Sequence, residues 1–389
     1  MAAIAKAAIY VVALAVIAPF LYDRYVGFVP LLANRAGKFV EFRDSTIKDV
    51  RVKFGGDIRN CEDVMLVEDL GIALLSCDEG RDRWNTVMGT FRPDLDVKNG
   101  KLYIYDYAQQ NPPKGELRAI ILKNFEISDS FHPLGIEYDH IASTLYVVNH
   151  ALSGSRIEVF TVDFPSATAT HTQTFKHELL HTPNSIHSLG NGKLYITNDH
   201  YFPSAVSPIL SKIETFSGLP GGTVTYIDIN DPQAARVVAR VPFANGIAML
   251  NSTTLAVGSS SKPGVYFFDV ESDQSLVFKN VIRAPSSVDN LSVDGSGALL
   301  LAGHPDPFRL MHVSKNRWAC VVGSDVEEER RACGCIAPSW AGEWTEARGL
   351  RTLYKSEGFC SSTTLVRDVE RGVGMISGLY SDGILQFSL

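Results

Sequence analysis

The stretch STLYVVN at residues 143–149 shows the pattern that decides the fold. A turn residue opens it, apolar and β-branched residues fill its centre, and a small polar residue closes it, which is typical of a β-strand. Five further stretches repeat this pattern: LGIALLS (70–76), GKLYITN (192–198), TTLAVG (253–258), GALLLAG (297–303) and GVGMISG (372–378). Six copies of one strand predict a repeat architecture.

The spacing of the copies indicates which architecture this is. Successive copies begin 44 to 75 residues apart, close to the length of a four-stranded propeller blade with variable loops. Most copies are followed by another strand, such as IEVFTV (157–162) or GVYFFD (264–269), without a long amphipathic helix between them. We therefore predict an all-β fold, a six-bladed β-propeller over residues 31–389. A pair of β-sandwiches is the alternative, but it does not explain six similar strands.

Composition restricts the classes of partner. The chain has 389 residues, of which 45% are apolar and 20% charged, enough to bury a large core. Its net charge is −7 and its pI is about 5.8. Because no basic stripe would neutralise phosphates, we expect no nucleic-acid partner. The charged run EEERR (327–331) is typical of a solvated loop or helix face.

An apolar segment precedes the repeats. Residues 7–22 (AAIYVVALAVIAPFLY) form an uncharged run of 16 residues between Lys6 and Asp23. This length lies between a signal-peptide core and a full membrane span. We predict a hydrophobic helix over residues 1–30 that acts as an uncleaved signal anchor and places a membrane-anchored body in the secretory pathway. A cleaved signal peptide, giving a secreted protein, and a buried helix are the alternatives.

Six cysteines and a sequon fit that oxidising compartment. Asn251-Ser-Thr253 is an acceptor sequence for N-glycosylation. We expect one or two disulfides. Spacing leaves open whether Cys61 pairs with Cys77 or either pairs with the C-terminal group of Cys320, Cys333, Cys335 and Cys360.

Several polar residues are candidates for a metal site. A propeller brings the loops of all its blades to one central mouth, where residues distant in sequence meet. Singly these residues are typical of turns, but together they offer the oxygen ligands that calcium prefers. Glu62 and Asp289 would neutralise the cation, and Asn184, Asn245 and Asn290 would add amide oxygens. The set contains no Cys or His, which argues against zinc or copper.

Three histidines are candidates for catalysis. His150 closes VVNH, His200 closes TNDH and His304 lies in AGHP, each at the end of a repeated strand. We predict that these repeated strands are the inner strands of the blades, so that the three imidazoles face one mouth. The alternative for each is a hydrogen-bonded structural histidine.

These segments resemble the paraoxonases and arylesterases, six-bladed calcium propellers that hydrolyse lactones and aryl esters. The resemblance runs from about Glu62 to Pro305. Its most specific parts are LYVVNH (145–150), HELL (177–180) with Asn184, TNDHYF (197–202), FANGI (243–247) and VDNLSVD (288–294), in matching order and approximate spacing.

The resemblance implies two calcium ions. The catalytic ion would be bound by the five residues already selected for their oxygen ligands. A second, structural ion would be bound by Asp63 and the backbone carbonyl of Ile136. The third ligand of that site is an aspartate in the family, but Ser185 stands there in this chain. We expect the loss of a carboxylate to weaken the structural site.

The resemblance also implies a pair of catalytic histidines, of which one is missing. His150 matches the second histidine of the pair. The first belongs to the motif Asn-Pro-His-Gly-Ile, whereas this chain has HPLGI (132–136), so Leu134 replaces the base and cannot accept a proton. His132 would replace it only if the loop shifted. We therefore expect His150 and Asp289 to be the catalytic residues, with His200 as a further candidate for activating water.

Three functions follow as hypotheses. The first is a calcium-dependent hydrolase of small apolar lactones or aryl esters, with an activity altered by Leu134. The second is a calcium-stabilised propeller that no longer hydrolyses and acts as a binding module. The third is a related propeller enzyme of the strictosidine-synthase or gluconolactonase type.

Overall fold

The N-terminal element is the predicted hydrophobic helix. The computed structural model describes residues 2–109, 115–126 and 130–389, so Met1 of the predicted segment 1–30 lies outside the described residues. Helix α1 spans Ala2–Ala33 and contains two prolines. Within the described ranges, one helical segment, Tyr10–Ala33, is long and apolar enough to cross a membrane. Two short strands follow it, β1 (Phe42–Arg43) and β2 (Lys48–Lys53).

The regular secondary structure in the rest of the chain consists mainly of β-strands. Its strands are, in chain order, β3 (Cys61–Val67), β4 (Ile72–Cys77), β5 (Trp84–Asn85), β6 (Thr90–Phe91), β7 (Lys101–Asp106), β8 (Leu117–Ala119), β9 (Ile121–Lys123), β10 (Pro133–Asp139), β11 (Thr144–Ala151), β12 (Gly154–Asp163), β13 (Thr168–Phe175), β14 (Pro183–Gly190), β15 (Lys193–Asn198), β16 (Thr223–Asp228), β17 (Arg236–Arg240), β18 (Ala244–Asn251), β19 (Thr254–Ser259), β20 (Gly264–Val270), β21 (Leu276–Arg283), β22 (Ser287–Val293), β23 (Leu299–His304), β24 (Ser339–Thr345), β25 (Gly349–Ser356), β26 (Ser362–Asp368), β27 (Val373–Gly378) and β28 (Ile384–Ser388).

These strands form the six blades of the predicted propeller. The four-stranded cores of blades 1 to 5 are β3-β4-β7-β8, β10 to β13, β14 to β17, β18 to β21 and β22 to β25. Blade 6 is β26-β27-β28 completed by β2, so a strand from the N-terminal side closes the ring against the last strand. The first strand of each blade contacts the first strands of both neighbouring blades, which places these six strands around the central axis.

The six repeated stretches of sequence are confirmed as one structural position. They form β4, β11, β15, β19, β23 and β27, the second strand of every blade. The prediction that they are the inner strands of the blades is therefore wrong, because the first strand of each blade is the inner one. Their apolar character has a packing cause: in β11, Leu145 and Val147 pack in a core with blade 1, while Tyr146 and Val148 pack with blade 3. A strand buried on both faces has no polar alternation.

Three short helices are inserted between strands. Helix α2 (Pro208–Ser217) lies between β15 and β16, and α3 (Pro307–Arg317) and α4 (Glu327–Cys333) lie between β23 and β24. Asp306 caps α3 by accepting hydrogen bonds from the backbone N–H groups of Phe308 and Arg309. The exposed α4 contains the charged run that the sequence places on a solvated face.

Three disulfides connect the six cysteines, rather than the one or two expected. Cys61 pairs with Cys77 across β3 and β4, Cys320 with Cys333, and Cys335 with Cys360. The first of these resolves the open pairing in blade 1 and lies directly beside Glu62. The sequon residue Asn251 is exposed at the end of β18.

Candidate functional site

A bulge interrupts the first strand of every blade at the same level. The regular pairing with the second strand breaks between Cys61 and Asp63 in blade 1, and across two residues in each of the other five blades. The residues at these breaks are Glu62, Leu134-Gly135, Asn184-Ser185, Asn245-Gly246, Asp289-Asn290 and Thr363-Thr364. Since a bulge redirects side chains away from the regular pleat, this one position of the fold carries all five predicted ligands of the catalytic calcium.

Two glycines allow the first strands to approach one another at this level. A Cβ atom on Gly135 would lie 2.3 Å from the backbone oxygen of Asn184, and one on Gly246 would lie 2.4 Å from the backbone nitrogen of Leu291. Neither position tolerates a side chain without a backbone shift. The glycines of PLGIE and FANGI therefore set the narrow spacing of the ring.

The predicted ligands of the catalytic calcium are buried and incompletely hydrogen-bonded. Glu62, Asn184, Asn245, Asp289 and Asn290 are each at most 5% exposed. Four of their oxygens have no hydrogen-bond partner among the described residues: Glu62 Oε2, Asn184 Oδ1, Asn245 Oδ1 and Asn290 Oδ1. Unpartnered buried oxygens are costly, and their convergence fits a hard cation such as calcium.

The electrostatics of the acidic residues also fit a bound cation. Burial raises the pKa of Glu62 well above its usual value, and the charges of Asp63 and Asp289 raise it further. Asn290 Nδ2 donates to Glu62 Oε1 at 2.9 Å. Within the described ranges, no three His, Cys, Asp or Glu side chains form a cluster able to hold a metal by themselves. The fit to a cation therefore depends on amide oxygens beside the carboxylates.

The predicted ligands of the second calcium are differently placed. Asp63 Oδ1 accepts hydrogen bonds of 2.9 Å from Val64 N and Thr364 Oγ1, and Asp63 Oδ2 accepts one of 2.9 Å from Ile136 N. Both carboxylate oxygens are thus satisfied by the protein, and Ser185 adds no charge. Asp63, Ile136 and Ser185 lie together on a separate cavity of about 300 Å³. This set fits a cation less well than the first.

Four of the five ligands in the first set line a second cavity, which we call the central cavity, whereas Asn290 lines the cavity beside Asp63. The volume of the central cavity is about 120 Å³. Polar residues on its wall include Glu62, Asn184, Asn245, Asp289 and His304. Most of the remaining wall is apolar, including Phe28, Leu31, Val87, Leu134, Phe243 and Leu310. An apolar cavity with a few convergent polar groups is the usual form of a small-molecule site.

His150 is buried but does not line the central cavity. Its Nε2 lies 2.8 Å from the carbonyl oxygen of Pro183, so Nε2 carries the proton and donates. Its Nδ1 then accepts from Thr86 Oγ1 at 2.7 Å. Burial lowers the pKa of His150 to about 4. The imidazole is neutral at pH 7, but protein groups occupy both of its nitrogens.

His304 has a free ring nitrogen instead. Its Nε2 lies 2.8 Å from Asp289 Oδ2 and donates to that carboxylate, while Nδ1 is buried and has no partner in the described part of the chain. His304 lines the central cavity together with Asp289. The pair therefore presents an oriented imidazole with a free lone pair beside the predicted ligands.

The remaining histidine candidates bind protein groups. His200 bridges Asp199 and Thr215 at 2.8 and 2.6 Å. Although burial lowers the pKa of His200, the charge of Asp199 and its hydrogen bond raise it overall. His132 Nδ1 lies 3.1 Å from Asp78 Oδ2, and its Nε2 is buried without a partner among the described residues, but His132 does not line the central cavity. Leu134, in contrast, lines it.

Sequence reasoning missed two contributions to this site. Thr364 of blade 6 donates to the Glu62 carbonyl and to Asp63, but a single threonine in a β-strand carries no signal. Arg24, Phe28 and Leu31 of α1 also line the central cavity. Their i, i+4, i+7 spacing and the charged pair Asp23-Arg24 directly after the apolar run are visible in the sequence.

The sequence matches known proteins over most of its length. The model of the arylesterase family matches residues 87–321. Serum paraoxonase/lactonase 3 of Oryctolagus cuniculus is 34% identical over 300 residues, which cover 75% of this chain and 77% of the relative. Serum paraoxonase/arylesterase 1 of Mus musculus is 33% identical over 219 residues, 55% of this chain and 59% of the relative.

The fold has counterparts among solved structures. A gluconolactonase from Xanthomonas campestris superimposes with a TM-score of 0.53 at 12% sequence identity, and the match covers 92% of both chains. At this identity the likeness concerns the fold alone.

Proposed function

The chain belongs to the arylesterase family, and from this we propose that it is a calcium-dependent hydrolase of lactones or aryl esters. The main support for the proposal is the bulge in the first strand of each blade. Glu62, Asn184, Asn245 and Asn290 lie at these bulges, and each has a buried side-chain oxygen without a hydrogen-bond partner among the described residues. We propose that these residues and Asp289 hold the ion.

In the proposed reaction, His304 and Asp289 act beside the calcium ion. A bound calcium would polarise the ester carbonyl and stabilise the oxyanion that forms. His304 accepts a proton from the attacking water at Nδ1, and Asp289 holds the imidazole in the required tautomer through Nε2. His150, the residue expected from the sequence, is the alternative base. The contacts of its two nitrogens favour His304 for this role.

The cavity wall supports an apolar acyl or aryl group on the substrate. Aromatic and aliphatic side chains such as Phe28, Phe243 and Leu310 surround the polar floor. A sugar lactone would need hydrogen-bonding groups along these walls, so this lining favours an aryl ester or alkyl lactone over a sugar substrate.

The N-terminal segment and the disulfides support a place in the secretory pathway. Side chains of the first half of α1, such as Tyr10, Val11, Val12 and Leu14, are 63–69% exposed and apolar. We propose that this half enters a membrane and anchors the propeller beside it. Glycosylation of the exposed Asn251 belongs to the same proposal.

Metal content and turnover measured on one sample test this proposal. Protein purified in calcium buffer should contain bound calcium by plasma emission spectroscopy and hydrolyse phenyl acetate or an alkyl lactone. Exhaustive chelation should abolish hydrolysis, and added calcium should restore it. The control is Asp94→Asn, which changes a carboxylate that is 60% exposed and is not one of the proposed ligands. This variant should keep both its calcium and its activity. Full activity after chelation would contradict the proposal.

The second candidate is a calcium-stabilised binding module, and Leu134 favours it. The side chain at this position lines the cavity but cannot move a proton. The outcome that supports the module is a melting temperature that rises with calcium while no lactone or aryl ester is turned over.

A further inference from the structure

The second half of α1 covers the central cavity. Arg24 Nη1 donates to the carbonyl oxygen of Ser261 at 2.6 Å, and Asn34 Nδ2 donates to that of Pro285 at 2.9 Å. Asp23 forms ion pairs with Lys262 and Arg283. These contacts fix α1 against blade 4 and the start of blade 5. This half of α1 is therefore a wall of the site as well as a continuation of the anchor.

The Arg24 guanidinium is buried without a negative partner. Arg24 is 8% exposed. Its two Nη atoms donate to backbone carbonyls, those of Ser261 and Phe216, and Nε is buried with no acceptor in the described ranges. No described carboxylate forms an ion pair with it. A buried charge without a counter-ion is costly, so this arrangement favours an anion brought by a ligand.

Ser261 supplies a second unused donor at the same place. The residue is 8% exposed, lines the central cavity with Arg24, and its hydroxyl has no partner within the described residues. The neighbouring charges have the same sign as Arg24: Lys262 and Arg283 share the single carboxylate of Asp23. This corner of an otherwise acidic protein therefore carries a local excess of positive charge.

We propose that Arg24 and Ser261 form a subsite for a carboxylate carried by the substrate. The proposal rests on the proposed hydrolase function, because four of the predicted ligands of the catalytic calcium line the same cavity. The substrate class is an ester or lactone whose apolar chain ends in a carboxylate. The reacting carbonyl lies at Glu62 and Asp289, the apolar chain contacts Phe28 and Leu31, and the carboxylate accepts hydrogen bonds from Arg24 Nε and the Ser261 hydroxyl.

Binding measured without turnover tests the subsite directly. Calorimetry on the calcium-loaded, full-length protein would compare hexanoate with the neutral hexanamide. We expect hexanoate to bind at least tenfold more tightly than hexanamide. Arg24→Met and Ser261→Ala should each remove most of this preference. Ser261→Ala keeps the backbone carbonyl to which Arg24 binds, so it tests the subsite even if Arg24→Met destabilises α1.

Ser286→Ala is the matched control. Its hydroxyl is also buried without a partner among described residues, but Ser286 does not line the central cavity. We expect this variant to bind hexanoate like the native protein. Hexanoate binding that persists unchanged in Arg24→Met and Ser261→Ala would place the carboxylate on the metal and overturn the proposal. Equal affinity for hexanoate and hexanamide in the native protein would also overturn it.

A kinetic comparison then separates this proposal from the proposed function. The probes are the 4-nitrophenyl monoester of adipic acid and neutral 4-nitrophenyl hexanoate. Arg24→Met should raise KM about tenfold for the adipate ester and less than threefold for the neutral ester. A merely structural role of Arg24 would raise both equally and would overturn the subsite. Absence of turnover for both esters would count against the hydrolase, while the calorimetry still decides the subsite.

Discussion

Nε2 of His304 lies 2.8 Å from Oδ2 of Asp289, and the two side chains lie together on the wall of the central cavity. Asp289 comes from the first strand of blade 5 and His304 from the end of the second. The carboxylate orients the imidazole, so that Nδ1 is left as an acceptor. His150, the histidine that the sequence singles out, binds protein through both nitrogens.

We expect His304→Asn to lower kcat for aryl ester hydrolysis about 100-fold, the usual effect of losing a general base. His150→Gln, which keeps a donor and an acceptor, should lower kcat less than threefold. Calcium content, measured in parallel, should remain unchanged in both variants. A large loss in His150→Gln with full activity in His304→Asn would return the catalytic role to His150.

Leu134→His should partly restore the activity that His304→Asn loses. Leu134 is 2% exposed and packs in an apolar core with Tyr146 and Val148, so a buried imidazole there should cost about 1–3 kcal/mol of stability. We expect the double variant to recover roughly tenfold in kcat over His304→Asn alone. The control is Leu134→Asn, a polar residue without a titratable base, for which any recovery would indicate another cause.

Removal of calcium should destabilise the protein as well as inactivate it. At a calcium concentration 100 times Kd, binding contributes about 2.7 kcal/mol, and for a chain of this length we expect chelation to lower Tm by about 3 °C. Glu62→Gln should reduce this calcium-dependent shift, because it removes one of the two charges proposed to neutralise the ion. An unchanged shift in Glu62→Gln would exclude Glu62 as a ligand.

Ser185→Asp should create or strengthen a second calcium site. In the native chain the Asp63 carboxylate is satisfied by three protein donors, and Ser185 provides no charge. Equilibrium dialysis should therefore find about one tightly bound calcium in the native protein and two in the variant. Ser185→Asn, which adds an oxygen without charge, is the control. Two tight ions in the native protein would show that Asp63 and Ile136 suffice.

Burial of neutral His150 predicts a loss of stability in acid. Its pKa is about 4 in the folded protein against a usual value of 6.5, because burial and the charges of Arg81 and His132 lower it while Asp199 raises it. The stabilisation that His150 contributes to the folded protein is fully present above about pH 6.5 and decreases as the pH falls toward 4. It amounts to about 3 kcal/mol over this range.

Urea unfolding midpoints at constant calcium would check this. From pH 7.5 to 5, the midpoint of the native protein should fall more than that of His150→Gln, which does not titrate here. Parallel curves for the two proteins would show that His150 does not contribute to acid sensitivity.

Particular strands show what the sequence could predict. STLYVVN (143–149) and its five copies were found because a strand buried on both faces is continuously apolar, a local property visible in the letters. Their rank within each blade was not visible, since hydrogen-bonding order depends on contacts between distant segments. The copies proved to be the second strands of their blades.

The chemistry of the predicted ligands was likewise a sequence property. Carboxylate and amide oxygens in a repeat protein indicate a hard cation whatever their coordinates. The three-dimensional structure decided which oxygens lack partners: that of Asn184 does, whereas both oxygens of Asp63 bind protein donors. Whether an oxygen finds a hydrogen-bond donor depends on residues distant in sequence, such as Thr364, which donates to Asp63 across a separation of 301 residues in the chain.

The sequence by itself determined the propeller, the apolar N-terminal helix and the presence of Leu134, a residue without a titratable group, in HPLGI. These are matters of local pattern and of residue identity. Only the tertiary structure decided that His304 has a free nitrogen and that Arg24 of that helix lines the central cavity. Hydrogen-bond partners and cavity walls arise from packing between segments more than 200 residues apart, such as Arg24 and Ser261, and no local pattern specifies them.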